Sequence, residues 1–253
     1  MGLQDKRQRT IWSIMLTGAN KERLSFARWS VKQWRQLSPV PRYAMRLLIL
    51  NEAQREQVLE DGEGGDSIVE IRVDRRLPHL SSLGAVRNHA LSLIPSGDLV
   101  YVWDDDDYHA PEIILTMLAH WKKTSPSACM IQLGNRLNLN MVTQAGWAST
   151  DTRGLVHFLG SIDGLRRLGF QYDLLNSLED LPIHTLPNRL LWADNPPELY
   201  VRYTHQSNAS VYVKKSQKGP DLSVGPHVEK AISPAQLLYC IGRLFDTHVN
   251  QRQ

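Results

Sequence analysis

Residues 97–112 read GDLVYVWDDDDYHAPE: a turn residue, an apolar run from Leu99 to Trp103, then four consecutive carboxylates, Asp104 to Asp107. A short apolar run bounded by turn signals is a strand buried on both faces, the kind that parallel sheets use. Four like charges at its end repel one another, and keeping them ionised in a partly buried place requires a cation or several donors. If the backbone stays extended through the run, Asp104 and Asp106 point to one side and Asp105 and Asp107 to the other. Such a D-x-D pair presents oxygens to one hard cation, Mg²⁺ or Mn²⁺, with positions left for diphosphate oxygens. The competing reading is local: Pro111 and Glu112 announce a helix whose N-terminus favours nearby negative charge. An EF-hand loop is excluded because it needs glycine where His109 stands. The place of the run, straight after an apolar strand, favours the metal.

Working outward, Ile11–Thr17 (IWSIMLT) is a buried strand that Gly18 to Asn20 break before LSFARWSVKQW, which is apolar at helical spacing. A second strand, Arg46–Leu50, ends at Asn51 and is followed by a short polar helix-like stretch and the loop DGEGGDS. A third, Ile68–Val73, precedes SSLGAVRNHALSLI, an amphipathic helix with Ser81 or Ser82 as N-cap. Strands alternating with helices predict an α/β fold: a mostly parallel, doubly wound central sheet with helices on both faces. Ligands in such sheets sit beyond the carboxyl ends of the strands. Thr17 to Asn20, Asn51 and Asp104 to Asp107 should therefore converge on one crevice.

From Cys129 onward the periodicity weakens until ISPAQLLYCIGRLFD, residues 232–246. The expected organisation is a polar segment over 1–10, one domain over 11–215 and a C-terminal extension over 216–253. The extension carries an amphipathic helix whose stripe, Leu237, Leu238, Ile241, Leu244 and Phe245, packs on its own domain or forms a homodimer contact.

With 253 residues, 42% hydrophobic and 22% charged, the chain has enough apolar surface for one sizeable core. No run approaches eighteen apolar residues, and MGLQDKRQRT is polar, so neither a membrane span nor a secretory signal is expected, and the expected location is cytoplasmic. Cys129 and Cys240 lack metal-ligand spacing and read as buried thiols. A formal charge of +3, carried in clusters such as Arg72, Arg75 and Arg76, suits phosphate-bearing ligands. No recognition helix or aromatic-basic module accompanies it, so a dedicated nucleic-acid patch is not expected.

Five segments, in order, resemble the family 2 inverting glycosyltransferases: TGANKERLSFARWSVKQW, LSSLGAVRNHAL, GDLVYVWDDDDYHAPE, HFLGSIDGLRRLGFQYDLLNSLEDLPIHTLPNRL and YVRYTHQSNAS. The similarity covers residues 11–213. It implies a GT-A (Rossmann-like) domain that takes a nucleotide diphosphate sugar, UDP-linked, and glycosylates a hydroxyl on a glycan, a small molecule or a modified nucleic acid. By the same resemblance Asp106 is the principal metal ligand, Asp104 shares the metal or contacts the ribose, and His205 completes the site. Thr17, Asn20, Asn51, Ser82, Asp105 and Glu179 join Asp104 in binding the nucleotide sugar. Asp180 is the general base, although capping the helix LPIHTL is the bland reading for an aspartate there. The sequence departs from the family at Asn51, where an acidic residue is usual; an amide can still bond a uracil or thymine edge. Arg87 reads as a scaffold ion-pair partner, His157 and His184 as structural or acceptor-side, and Trp147 and Trp192 as a sugar platform or core. The rivals are a noncatalytic nucleotide-sugar binding module and a nucleotidyltransferase. The latter lacks its glycine-rich, basic phosphate loop here.

Overall fold

The computed structural model describes residues 7–18, 21–53, 56–59, 65–141, 145–151, 157–174, 181–204 and 227–231. Its first half is the expected alternation. Strand β1 (Arg9–Thr17) leads into helix α1 (Lys21–Trp34), β2 (Tyr43–Asn51), β3 (Ile68–Arg72), α2 (Leu83–Leu93) and β4 (Leu99–Asp104). After a two-residue strand β5 (Tyr108–His109) come α3 (Ile113–Thr124), β6 (Met130–Leu133), β7 (Asn135–Asn140), β8 (Ala145–Asp151), β9 (Phe158–Ser161) and α4 (Ile162–Arg167). The last elements are α5 (Leu181–Thr185), β10 (Arg189–Trp192), β11 (Tyr200–Thr204) and β12 (His227–Ala231).

Seven strands form the main sheet in the order β10-β6-β9-β4-β1-β2-β3. All its pairings are parallel except those of β9, which runs antiparallel to both β4 and β6. The period-2 alternation of β1 explains the two layers. Ile11 and Met15 face a core filled by Trp29 and Trp34 of α1 and by Ile113, Met117 and Trp121 of α3. Ile14 faces the other core, with Val86 and Ala90 of α2, Ile162 and Leu165 of α4 and Ile183 of α5. Helices thus cover both faces, as a buried parallel sheet requires. The sheet is pinned at its far end by Asp98, fully buried, which accepts from the Arg7 guanidinium at 2.9 Å, the Thr10 N–H at 3.0 Å and the Trp12 indole at 3.0 Å.

The weak periodicity after Cys129 hides a second sheet, ordered β12-β8-β7-β11-β5. The chain changes sheets at Gly134, between β6 and β7. A Cβ there would stand 2.9 Å from the Cα of Ala193, so only glycine lets the two segments approach. Buried Asn195 fixes the joint by accepting from the N–H groups of Gly134 and Asn135, both at 2.8 Å. β12, within the expected C-terminal extension, pairs antiparallel with β8.

Ser82 is the N-cap of α2, accepting from the Ala85 N–H at 3.1 Å. The polar helix-like stretch after Asn51 is not helical at its described positions, 52–53 and 56–59. Glu70 organises this loop instead, accepting from the N–H groups of Val58 and Leu59. Among the described residues no helix is long and apolar enough to cross a membrane. The segment 232–246, with Cys240 and the expected amphipathic helix, lies outside them; Cys129 is a buried free thiol.

Candidate active site at the acidic turn

The backbone stays extended only as far as Asp104; Asp105 to Asp107 form a tight turn before β5. This corrects the simple alternation expected for the run. A turn regroups the four carboxylates, placing Asp104 with Asp107 and Asp105 with Asp106.

Asp104, the last residue of β4, accepts from or shares a proton with His157 Nε2 at 2.9 Å, and the Arg87 guanidinium stands 3.7 Å away. His157 sits just before β9, whose antiparallel pairing with β4 carries it to the strand end. Burial pushes the Asp104 carboxyl up, but His157, by charge and hydrogen bond, and the charge of Arg87 outweigh it and hold the group far below the usual carboxylate range. Asp107 turns inward against β11, where its carboxylate accepts from the Tyr200 hydroxyl and, at 2.9 Å, from the Tyr203 N–H. Burial, with the nearby charges of Asp106 and Asp104, raises the Asp107 carboxyl well above its ordinary value, against the pull of Arg202. One ligand atom from each of Asp104, Asp107 and His157 lies within 4.8 Å of the others, a grouping able to hold a metal ion.

Arg23, from the first turns of α1, supplies the positive charge for the other two acids. One guanidinium nitrogen donates to Asp105 and another to Asp106. Burial raises the Asp105 carboxyl well above its ordinary value and Asp106 adds to this, while Arg23 opposes it. Two buried atoms of the site, Asp105 Oδ2 and His157 Nδ1, have no hydrogen-bond partner among the described residues. Beneath the turn, His109 stacks on Trp103 with centroids 4.0 Å apart, and its Nδ1 meets the Tyr101 hydroxyl at 2.9 Å. Burial, assisted by the charge of His157, pushes the His109 imidazole well below its ordinary value and keeps it neutral.

The other expected residues fall as follows. Thr17 and Asn51 are register partners at the carboxyl ends of β1 and β2, the same sheet end as Asp104. Thr17 is buried, with its hydroxyl 3.5 Å from the Arg23 carbonyl. Asn51 is turned inward: its amide donates to Glu70 Oε1 at 2.7 Å and the Glu56 carbonyl at 2.9 Å, and its carbonyl accepts from the Ala53 N–H. A fully buried amide with both donors engaged anchors the loop. Ser82 spends its hydroxyl on the helix cap. Arg87 is the ion-pair partner it was read as, and His157 has moved from the periphery to the centre of the site. Trp192 stacks on His120 at 4.2 Å. Asn20, Glu179, Asp180 and His205 lie outside the described residues. The contributions of Arg23 and His157 were missed because they stand about eighty and fifty positions from the acids they meet; only pairing of their elements reveals them.

No protein-family model matches the chain, and no curated protein matches it. Solved structures do. TarS 1-349 of S. aureus superposes with a TM-score of 0.55 at 10% identity, covering 77% of this chain and 60% of that one. The longer S. aureus TarS gives 0.51 at 12% identity over 77% and 37%. This chain therefore spans less than two thirds of either TarS chain. Glucosyl-3-phosphoglycerate synthase from Mycobacterium tuberculosis, solved with Mn²⁺, UDP and glucosyl-3-phosphoglycerate, gives 0.50 at 13% identity over 88% and 87%. At such identities the likeness concerns architecture, and it agrees with the strand order described above: the chain has the GT-A fold.

Proposed function

We propose that the chain is a metal-dependent glycosyltransferase that moves a sugar from a nucleotide diphosphate donor, UDP-linked, to a hydroxyl acceptor with inversion, the catalytic domain being residues 11–215. The observation that carries the reading is the cluster of Asp104, Asp107 and His157 at the carboxyl end of β4 in a GT-A sheet, where ligands of such sheets bind. The M. tuberculosis synthase with Mn²⁺ and UDP bound supports the same class of donor and ion here.

The residues present fit a hard divalent cation. Two carboxylates and an imidazole form the group, and Asp105 Oδ2 is a buried oxygen without a partner among the described residues. A bound Mg²⁺ or Mn²⁺ would neutralise charge developing on the departing diphosphate. Asp104, held ionised by His157 and Arg87, is the anchor of that site. Asp106 joins it by exchanging Arg23 for the cation. His205, the third ligand by resemblance, follows Tyr203 by two positions, and the Tyr203 N–H bonds Asp107. Thr17, Asn20, Asn51, Ser82, Asp105 and Glu179 remain the residues assigned to the nucleotide sugar.

Asp180 precedes α5 and serves as the base. Its carboxylate takes the acceptor's hydroxyl proton as that oxygen bonds to the anomeric carbon and the bond from that carbon to the diphosphate oxygen breaks. A single displacement of this kind inverts the anomeric configuration and needs no covalent sugar-enzyme intermediate. A melting-temperature screen of nucleotide sugars with Mn²⁺ and with EDTA tests the reading, since a ligand that binds only the folded state stabilises it. A UDP-sugar should raise the midpoint in Mn²⁺ and fail to do so in EDTA. A flat response to every nucleotide sugar in Mn²⁺ would overturn the assignment.

A further inference from the structure

The opposite end of the sheet carries a second concavity, of ≈ 530 Å³. Arg9 and Tyr43, at the starts of β1 and β2, line it together with Trp121 and Lys122 of α3 and Arg167 of α4. Its size falls in the usual range of small-molecule sites. Arg9 and Thr17 are eight residues apart on one strand, so roughly 26 Å separates this pocket from the acidic turn.

We propose that this pocket is an anion site that takes a small organic phosphate, distinct from the nucleotide-sugar site and independent of the glycosyltransferase reading. Three cations from three sequence-distant elements, Arg9, Lys122 and Arg167, converge on it, and no Asp or Glu lines it. Among the described residues none of the three is paired with a carboxylate; Lys122 stands over the Tyr43 ring at 5.2 Å instead. The acids close by in the chain are engaged elsewhere. Asp98 accepts from Arg7, the Thr10 N–H and the Trp12 indole, and Asp163 accepts from the Gly97 N–H at 3.0 Å. Like charges gathered without a counter-charge repel, and a phosphate dianion relieves that repulsion with charge-assisted hydrogen bonds from both guanidinium groups.

The rest of the lining sets the ligand's other half. Tyr43, Leu118 and Trp121 present apolar and aromatic surface beside the cations, so a phosphate monoester carrying a ring or aliphatic group fits better than inorganic phosphate. The wall is closely built: a Cβ at Gly164 would meet the Cβ of Cys129 at 3.0 Å, so α4 holds Arg167 close against the start of β6. A concavity of this size suits a small ligand, and a nucleic-acid backbone would ask for an extended basic stripe.

The test is phosphorus-31 NMR titration of the full chain with phenyl phosphate. The wild type should broaden and shift the resonance saturably, and the same affinity should persist with UDP and diamagnetic Mg²⁺ at saturation and in Asp104→Asn. Inorganic phosphate should bind more weakly. The double variant Arg9→Gln/Arg167→Gln should weaken phenyl phosphate by at least tenfold, and Lys122→Gln by a smaller factor, with melting temperatures within about 2 °C of the wild type, as exposed substitutions allow. Absence of saturable binding in the wild type, equal affinity in the double variant, or displacement by UDP would each overturn the proposal. The last result would move the phosphate to the acidic turn and leave the glycosyltransferase reading intact.

Discussion

Replacing Arg23 by alanine removes a guanidinium that donates to both Asp105 and Asp106. The Arg23 side chain is 20% exposed, against 1% for Asp105 and 10% for Asp106, so the pair to Asp105 is the well-buried one. Breaking a buried pair by deleting one partner costs about 3–5 kcal/mol when the remaining group stays charged, and protonation of Asp105, which burial favours, brings the loss to the low end of that range. The partial exposure of Arg23 lets water screen some of that penalty, which puts the expected loss in EDTA near 3 kcal/mol. For a domain of this size that is a fall of roughly 6–12 °C in melting temperature. Saturating Mn²⁺ supplies a replacement charge to the same carboxylates, and the loss should shrink below about 1 kcal/mol. Denaturant unfolding of wild type and Arg23→Ala, each with Mn²⁺ and with EDTA, measures all four values. An equal loss in both conditions would refute the idea that Arg23 and a metal compensate the same carboxylates. A loss under about 1 kcal/mol in EDTA would show that the turn does not depend on Arg23 at all.

Two further outcomes rest on the geometry of the acidic turn, and one on the role proposed for Asp180. Asp180→Asn should leave donor binding within a few fold while turnover falls roughly a hundredfold, the scale of general base loss; near-normal transfer would return Asp180 to helix capping. His157→Ala, by removing the partner of Asp104, should weaken Mn²⁺ binding by roughly ten- to a hundredfold in a calorimetric titration. In EDTA, Asp105 and Asp107 should make stability fall as pH rises through their raised values; since neutral His109 gives the opposite slope below its ordinary 6.5, the fall is read as the difference between the wild type and Asp105→Asn/Asp107→Asn. Burial lifts Asp105 and Asp107 above the ordinary 3.8, so the folded chain holds protons that the unfolded chain releases, and their contribution is lost as pH climbs through the raised values. Asp104, depressed in the fold, loses its contribution only as pH drops below the ordinary range and adds no slope between 5 and 8. The same pH profile in the wild type and the double variant would contradict the assignment.

The first half of the chain was legible because its signals are local. Buried parallel strands are continuous apolar runs, and IWSIMLT, MRLLIL and LVYVW announce β1, β2 and β4 without tertiary information. Position at the end of such a strand was enough to single out the acidic run. The second sheet was not legible, since β7 (NRLNLN) and β8 (AGWASTD) are polar and short, and β7 finds its parallel partner β11 some sixty residues away. The local geometry of the acids was also hidden. Extended backbone predicts alternation, but the hydrogen bonds from Tyr200 and Tyr203 to Asp107 favour a turn, and those partners come from the second sheet. Asn51 was assigned to the nucleotide sugar by resemblance and by its place at a strand end. Glu70, nineteen residues on, takes its amide, and a cross-strand side-chain bond of that kind leaves no sequence signal.

In the proposed function the acidic turn binds a nucleotide diphosphate through a divalent cation anchored on Asp104. Calorimetric titration of UDP into the wild type and Asp104→Asn, each with Mn²⁺ and with EDTA, addresses it directly. UDP should bind the wild type at least tenfold more tightly in Mn²⁺ than in EDTA, and Asp104→Asn should remove this difference. UDP binding of equal strength with and without the metal, or an unchanged metal dependence in Asp104→Asn, would contradict it.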